Sequence, residues 1–172
     1  GSVSHNDLLP LPLTNETLAL VVSHIDYVQT YLGRKLLIEN ISSYLSFKHS
    51  TYTEWNFLIE VAKRSGCKLL LDINNVYVNA HNHHFNGTEF IDAIPNEYIG
   101  QIHLAGFTDM KKYYFDTHSK EVSDDVWNLY HRLIKRHPTV PVLIEWDENI
   151  PPFERLEDEA LKAAAAWSSY HA

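Results

Sequence analysis

At 172 residues, 45% of them hydrophobic, the chain has material for one domain with a real core. Its net charge of -8 at pH 7 argues against a nucleic-acid partner held by phosphate contacts, and no basic run favours a membrane surface. No apolar stretch reaches the roughly 20 residues that a spanning helix needs. No secretory signal is visible, and the single cysteine, Cys67, fits a reducing, cytoplasmic setting.

Gly1-Ser2 reads as a cloning scar, and residues 7–12 read as a loop. A first helix follows from Leu18, Val21, Val22, Ile25, Val28 and Leu32, spaced at about 3.6 residues, with Gly33 placed to stop it. The apolar run 35–38 then leads into Glu39-Asn40. A second helix is expected from Thr51, whose spacing to Glu54 is that of a capping box, through Trp55, Leu58, Ile59 and Ala62 to Gly66. Cys67 precedes the next apolar run and reads as a buried structural thiol.

The run 68–71 leads into Asp72, then Asn74 and Asn75, and a polar loop with His81, His83 and His84. A short helix spans 88–94 before Pro95. The run 99–102 leads into His103, and Asp116-Thr117-His118 follows. Ser123 is placed to cap a helix bearing Val126, Trp127, Tyr130, Leu133 and Ile134, ending near His137-Pro138. The run 140–144 leads into Glu145, and an alanine-rich helix covers 156–167.

Continuous apolar runs of this length suit strands buried on both faces, as in a parallel sheet. Strict alternation with helices gives an α/β fold with right-handed crossovers. A closed (β/α) barrel needs about eight strands and about 250 residues. The expectation is therefore a partial TIM (β/α) barrel, its C-terminal half, with residues 3–172 forming part of a single domain. Half a closed sheet leaves bare strand edges, so self-association through the open barrel edge is expected.

In such sheets catalytic groups gather at the carboxyl ends of the strands. Each of the four runs ends on an acid or an imidazole: Glu39, Asp72, His103 and Glu145. Asp116 and His118 stand two apart, so in an extended segment both face one side. A lone Asp or Glu after a strand more often caps a turn or helix. Capping does not call for histidine at the same place, and six such groups in succession favour a shared metal site. Four carboxylates and two imidazoles without thiolate suit iron, manganese or zinc. Asn40 and Asn75 are candidate amide ligands or donors to the carboxylates, and Asn74 reads as a turn former. His83 is a candidate for the mouth of the cleft. Trp146-Asp147 either orients the ligand or closes the barrel floor.

The segments 8–12, 38–44, 70–78, 102–106, 116–118 and 143–147, in this order, carry a resemblance. They resemble the multinuclear non-haem iron-dependent oxidative enzymes, a TIM-barrel family of the xylose-isomerase-like superfamily that includes the oxidase of methanobactin biosynthesis. The resemblance implies two or three iron ions at the barrel mouth, with zinc or manganese as substitutes. It also implies oxygen-dependent modification of cysteine in a ribosomally made peptide, delivered by a small partner protein. By motif, Glu39, Asp72, His103, Asp116, His118 and Glu145 are the implied ligands, joined by Asn75. The family's N-terminal strands, with further histidines, are absent from this sequence, so the chain alone is expected to be inactive. Phe107 replaces a histidine frequent in the family, and His84 and Asn86 replace Gly and Asp. Two other classes stay open: an oxygen-independent divalent-metal barrel acting as isomerase or hydrolase, and a non-catalytic interaction module.

Overall fold

The structure is a computed structural model that describes residues 8–136 and 140–171. Gly1-Ser2, Asp7 and the expected helix end at His137-Pro138 lie outside the described residues. Helix α1 spans Asn15–Leu32, β1 Leu37–Glu39, α2 Glu54–Ser65 and β2 Lys68–Asp72. Helix α3 covers Ile73–His83, α4 Gly87–Ala93 and β3 Ile99–Leu104. A small antiparallel pair, β4 (Thr108–Asp109) and β5 (Tyr114–Phe115), precedes α5 (Asp124–Ile134), β6 (Val142–Ile144) and α6 (Phe153–His171). Four strands form one parallel sheet in the order β1-β2-β3-β6. The expected α/β architecture is present as an open sheet with helices.

The helix ends follow local chemistry. Gly33 and Gly66 close α1 and α2 in the left-handed region, at φ 63° and 66°, where a side chain would be strained. Ser123 caps α5, its hydroxyl accepting from the Val126 amide. The start of α2 differs from the capping-box expectation. Thr53, not Thr51, is the cap, its hydroxyl accepting from the Asn56 amide. The Thr51 amide instead bonds the Leu13 carbonyl, which ties the loop after β1 to the entrance of α1. The polar loop expected around His81, His83 and His84 is instead the end of a helix, α3, that covers residues 73–83. Its buried residues are Ile73, Val76, Val78 and Ala80 together with three asparagines, and the asparagines interrupt the apolar periodicity that would have shown a helix in the sequence. Helix α6 extends beyond the expected 156–167 at both ends.

The sheet's two faces differ. Ile38, Leu69, Leu71, Ile102, Leu104, Val142 and Ile144 join the core formed with the helices, where Leu18, Val61, Phe90, Val126 and Leu133 are buried. Alternate residues point the other way. On that face Leu37 and Leu143 are 40% and 41% exposed, and Glu39, Asp72 and His103 lie along its carboxyl-terminal edge. Sequential strand order with right-handed crossovers places helices on one side only. Cys67 is buried at the start of β2, as its structural reading requires.

Glu54 opens α2 and accepts hydrogen bonds from Asn79 Nδ2 at 3.1 and 3.4 Å. Burial pushes its carboxyl up to about 7, although the bond from Asn79 works against the shift. Its folded value lies above its unfolded one, so its contribution falls as pH rises from about 4.5 to about 7. Glu54→Gln is expected to be more stable than the parent chain at about pH 8, by on the order of 2 kcal/mol, with the gain vanishing near pH 4.5. Urea unfolding at the two pH values measures this; a gain of equal size at both would refute it.

Candidate metal centre

Asp72 closes β2 and caps α3 at once. Its Oδ1 accepts the Asn75 amide at 2.7 Å, while Oδ2 is buried without a hydrogen-bond partner. Asn40, just past β1, clamps the same residue: its Oδ1 accepts the Asp72 amide and its Nδ2 donates to the Asp72 carbonyl, both at 2.9 Å. These bonds extend the β1–β2 pairing one step beyond the strand through a side chain. Asn75 Nδ2 donates to the Asn40 carbonyl at 3.0 Å, completing the clamp.

His103 sits within β3, in register with Asp72 on one side and Leu143 on the other. The Glu145 amide donates to the Leu104 carbonyl at 2.9 Å, which holds the residue at the end of β6. One ligand atom from each of Glu39, Asp72, His103 and Glu145 lies within 4.8 Å of the others. A second group joins His118, Glu145 and Asp147 under the same limit, so Glu145 belongs to both. Its Oε2 lies 2.8 Å from His103 Nδ1 and 3.5 Å from His118 Nδ1.

The loop after β5 brings the remaining pair. Asp116 and His118 do face each other, but not through plain extended backbone. His118 adopts φ 44°, a left-handed conformation that non-glycine residues seldom take. Its Nε2 stands 2.7 Å from Asp116 Oδ1, an ion-pair contact outside hydrogen-bond alignment, and 3.9 Å from Asp72 Oδ2. The Asp147 amide donates to the His118 carbonyl at 2.7 Å, locking this loop to the β6 end. Gly106 permits the close approach: a Cβ there would lie 2.2 Å from the Lys120 carbonyl oxygen.

Asn74, expected to form a turn, is fully buried and donates to Asp116 Oδ1 at 2.7 Å. The Tyr44 hydroxyl accepts the Asp116 amide at 3.1 Å. Asp147, read as orienting or closing, faces His118 Nδ1 at 3.1 Å through Oδ2. Its spacing of two from Glu145 was the signal in the sequence. The three histidines of the expected polar loop do not form a cluster of their own. His81 stacks on Tyr114, His83 Nε2 lies 2.8 Å from Ser43 Oγ, and His84 ends α3 in the left-handed region.

The charges are unevenly held. Burial pushes Asp72 up to about 7 and raises Glu39, with Glu145 adding to the latter. Burial works against charge on both imidazoles, but carboxylates prevail. The hydrogen bond to Glu145 raises His103, and Asp116 with Glu145 pushes His118 up to about 11. The same histidines hold Glu145 well below the usual carboxylate range. Protonated imidazoles thus supply the positive charge that this acidic site calls for. The residues fit a metal ion on chemistry as well as position. They offer carboxylate oxygens and imidazoles without thiolate, and one buried oxygen that has no hydrogen-bond partner.

A family model described as "RiPP precursor modification enzyme MbnB/TglH/ChrH" matches residues 1–168. The chain belongs to this family. Similar proteins include the UPF0276 protein of Anaeromyxobacter sp. (strain Fw109-5), 50% identical over 164 residues, covering 95% of this chain and 58% of the relative. One from Acaryochloris marina (strain MBIC 11017) is 49% identical over 158 residues, covering 92% and 57%. One from Vibrio vulnificus (strain YJ016) is 49% identical over 167 residues, covering 95% and 57%. The chain spans less than two thirds of the length of these curated relatives. Membership makes a ribosomally made, post-translationally modified peptide the family's substrate class. Among the described residues, no helix is long and apolar enough to cross a membrane.

The Asn40 clamp generates a test. Asn40→Ala leaves the Asp72 amide and carbonyl without their partners in a buried position, and should cost about 2–3 kcal/mol in urea unfolding. A change below about 0.5 kcal/mol for Asn40→Ala would show that the clamp is not needed.

Proposed function

We propose that the chain is the metal-binding part of an oxidative enzyme that modifies cysteine in a ribosomally made peptide. In this reading residues 3–172 are the C-terminal portion of one TIM-barrel domain, and the bare sheet face is the barrel interior. The observation that carries it is the sharing of Glu145 between two groups of convergent side chains, which suits a carboxylate bridging two cations. Glu39, Asp72 and His103 are the proposed ligands of one ion, with Asn75 beside them. His118 and Asp116, with Asp147, serve the second. Asn74 and Tyr44 hold Asp116 in place.

The proposed metal is iron, two or three ions in the family-length protein, and zinc or manganese can substitute. Iron supplies the one-electron and oxygen chemistry that side chains lack. The protein's part is to hold the donors close and to release protons on loading. His103 and His118 must lose theirs before binding, and Asp72 must be ionised, so affinity should rise with pH. A small partner protein delivering the peptide belongs to the same proposal, as does a cytoplasmic setting.

In the family-length protein purified without oxygen, His103→Ala or Asp72→Ala should remove iron and abolish oxygen-dependent modification, as read by metal analysis and peptide mass. The 172-residue chain alone should bind one ion weakly or none, and should not turn over. A fully occupied multi-iron centre in the isolated chain would refute the division of ligands between the two halves.

The bare sheet face and the edges of β1 and β6, which pair with no further strand among the described residues, should also make the chain associate, with itself or with the rest of a family-length protein. Sedimentation across a concentration series reads this. A monomer at every concentration is the opposing result.

A further inference from the structure

The β4–β5 hairpin lies in the connection from the carboxyl end of β3 to α5, and β5 runs directly into Asp116. Its base is firmly held. Thr108 pairs with Phe115 and Asp109 with Tyr114, and the Met110 amide donates to the Tyr113 carbonyl at 3.0 Å. Asn82 of α3 clamps β5 much as a neighbouring strand would. Its Nδ2 donates to the Tyr114 carbonyl at 3.0 Å, and its Oδ1 accepts the Tyr114 amide at 2.8 Å. Phe107 stacks on the Tyr114 ring with centroids 4.3 Å apart. Tyr44 packs against Phe115 and Tyr113 at 5.4 and 5.9 Å, while its hydroxyl accepts the Asp116 amide. The hairpin is thereby tied to the carboxylate and histidine group.

The tip stands in water. Met110 and Tyr113 are 46% and 39% exposed, and Lys111 and Lys112 between them are exposed as well. On the helices, Lys63, Arg64, Arg132 and Lys162 are ion-paired. Among the described residues, neither tip ammonium has an acidic partner. Asp109 Oδ1 accepts the Lys111 amide at 2.6 Å, and Lys111 adopts φ 68° in the left-handed region. Glycine would suit that backbone better, so local geometry does not account for the lysine. Even with Asp109 counted, the tip is positive in a chain of net charge -8. A rigid support that holds a thioether, a phenol and two unpaired ammonium groups in water has the makeup of a recognition surface.

We propose that the hairpin tip docks an acidic segment of the peptide substrate, its carboxylates meeting Lys111 and Lys112 and an adjacent apolar side chain lying against Met110 and Tyr113. The proposal rests on the peptide-modifying reading above and deepens it by naming the chemistry of the segment recognised. Charge complementarity decides the occupant. Two ammonium groups between exposed apolar side chains suit a short acidic and apolar stretch, whereas a nucleic-acid backbone calls for a longer basic track. Asp116 follows Tyr113 by three positions, about 10 Å of extended chain. A peptide spanning that distance places its acidic residues about three or four positions from the cysteine presented to the metal group.

The probes are N-acetylated peptide amides with a central cysteine and two glycines on either side, so that either chain direction is served. The acidic probe continues at both ends with two glutamates and a phenylalanine. A neutral probe has glutamines in place of the glutamates, and a basic probe has lysines. Each is titrated into the isotope-labelled, metal-free chain and followed by amide chemical shifts. The acidic probe should bind about five-fold or more tightly than the neutral one, as two exposed charge pairs supply. Shifts should centre on Met110, Lys111, Lys112 and Tyr113. Alanine in place of phenylalanine in the acidic probe should weaken it about three-fold. Lys111→Glu combined with Lys112→Glu should reverse the order, so that the basic probe binds best. Both positions are exposed, and unmoved amides in β2 and β3 report that the fold is kept. Equal binding of acidic and neutral probes, no binding, shifts away from the tip, or an order unchanged by the double substitution would overturn the proposal. So would a single-stranded oligonucleotide that moves the same amides at lower concentration than the acidic probe, because the recognised anion is then a nucleic acid. No metal or turnover enters the measurement. Loss of the charge preference sinks the docking surface alone, whereas a family-length protein that keeps the preference but binds no iron sinks the oxidative reading alone.

Discussion

The site depends on one residue serving two structures. Asp72 ends a strand and caps the helix that follows without any intervening loop. Capping consumes only Oδ1, and the Asn40 clamp occupies the backbone on both sides. Oδ2 is then left buried and aimed away from the helix, with no protein donor to satisfy it. Leaving a buried carboxylate oxygen unpaired is costly, and its raised pKa expresses that cost. A cation at that point would remove the penalty, so the fold and the metal reading share one physical cause.

Glu145 shows the opposite balance. Two imidazoles face it: they hold the acid well below the usual carboxylate range, and it in turn raises both histidines. Glu145 and the two histidines thus satisfy one another, whereas Asp72 Oδ2 takes no part in these contacts as a hydrogen-bond partner. In the proposed reading, loading would exchange protons for cations, which would couple folding and binding through the same groups. Asn74, Tyr44 and the Asp147 amide hold the loop of Asp116 and His118 against that centre. The left-handed backbone at His118 is the local cost of turning its ring inward.

The asymmetry of the sheet ties this centre to the rest of the molecule. One face is covered by helices, whereas the other carries the row of Glu39, Asp72 and His103 and exposes Leu37 and Leu143. An apolar face left open invites a partner. In the proposed reading it is the remainder of a barrel.

Much of this was legible in the sequence. The four apolar runs gave the strands of a parallel sheet, because strands buried on both faces need continuous hydrophobicity, although Leu37 and Leu143 leave the second face partly exposed here. The terminal acids and histidine of those runs pointed to one edge, since strand ends in a parallel sheet share a side. Helix α3 was hidden because its buried face uses Asn74, Asn75 and Asn79, whose partners are distant in sequence. The α2 cap was misplaced by two residues because Thr51 was taken up by Leu13, a contact no local pattern encodes. Which oxygen of Asp72 caps and which stays unpaired, and that Glu145 joins two groups, were decided only by tertiary structure. Local sequence sets which donors are available; only chain crossings between distant strands set which atoms converge.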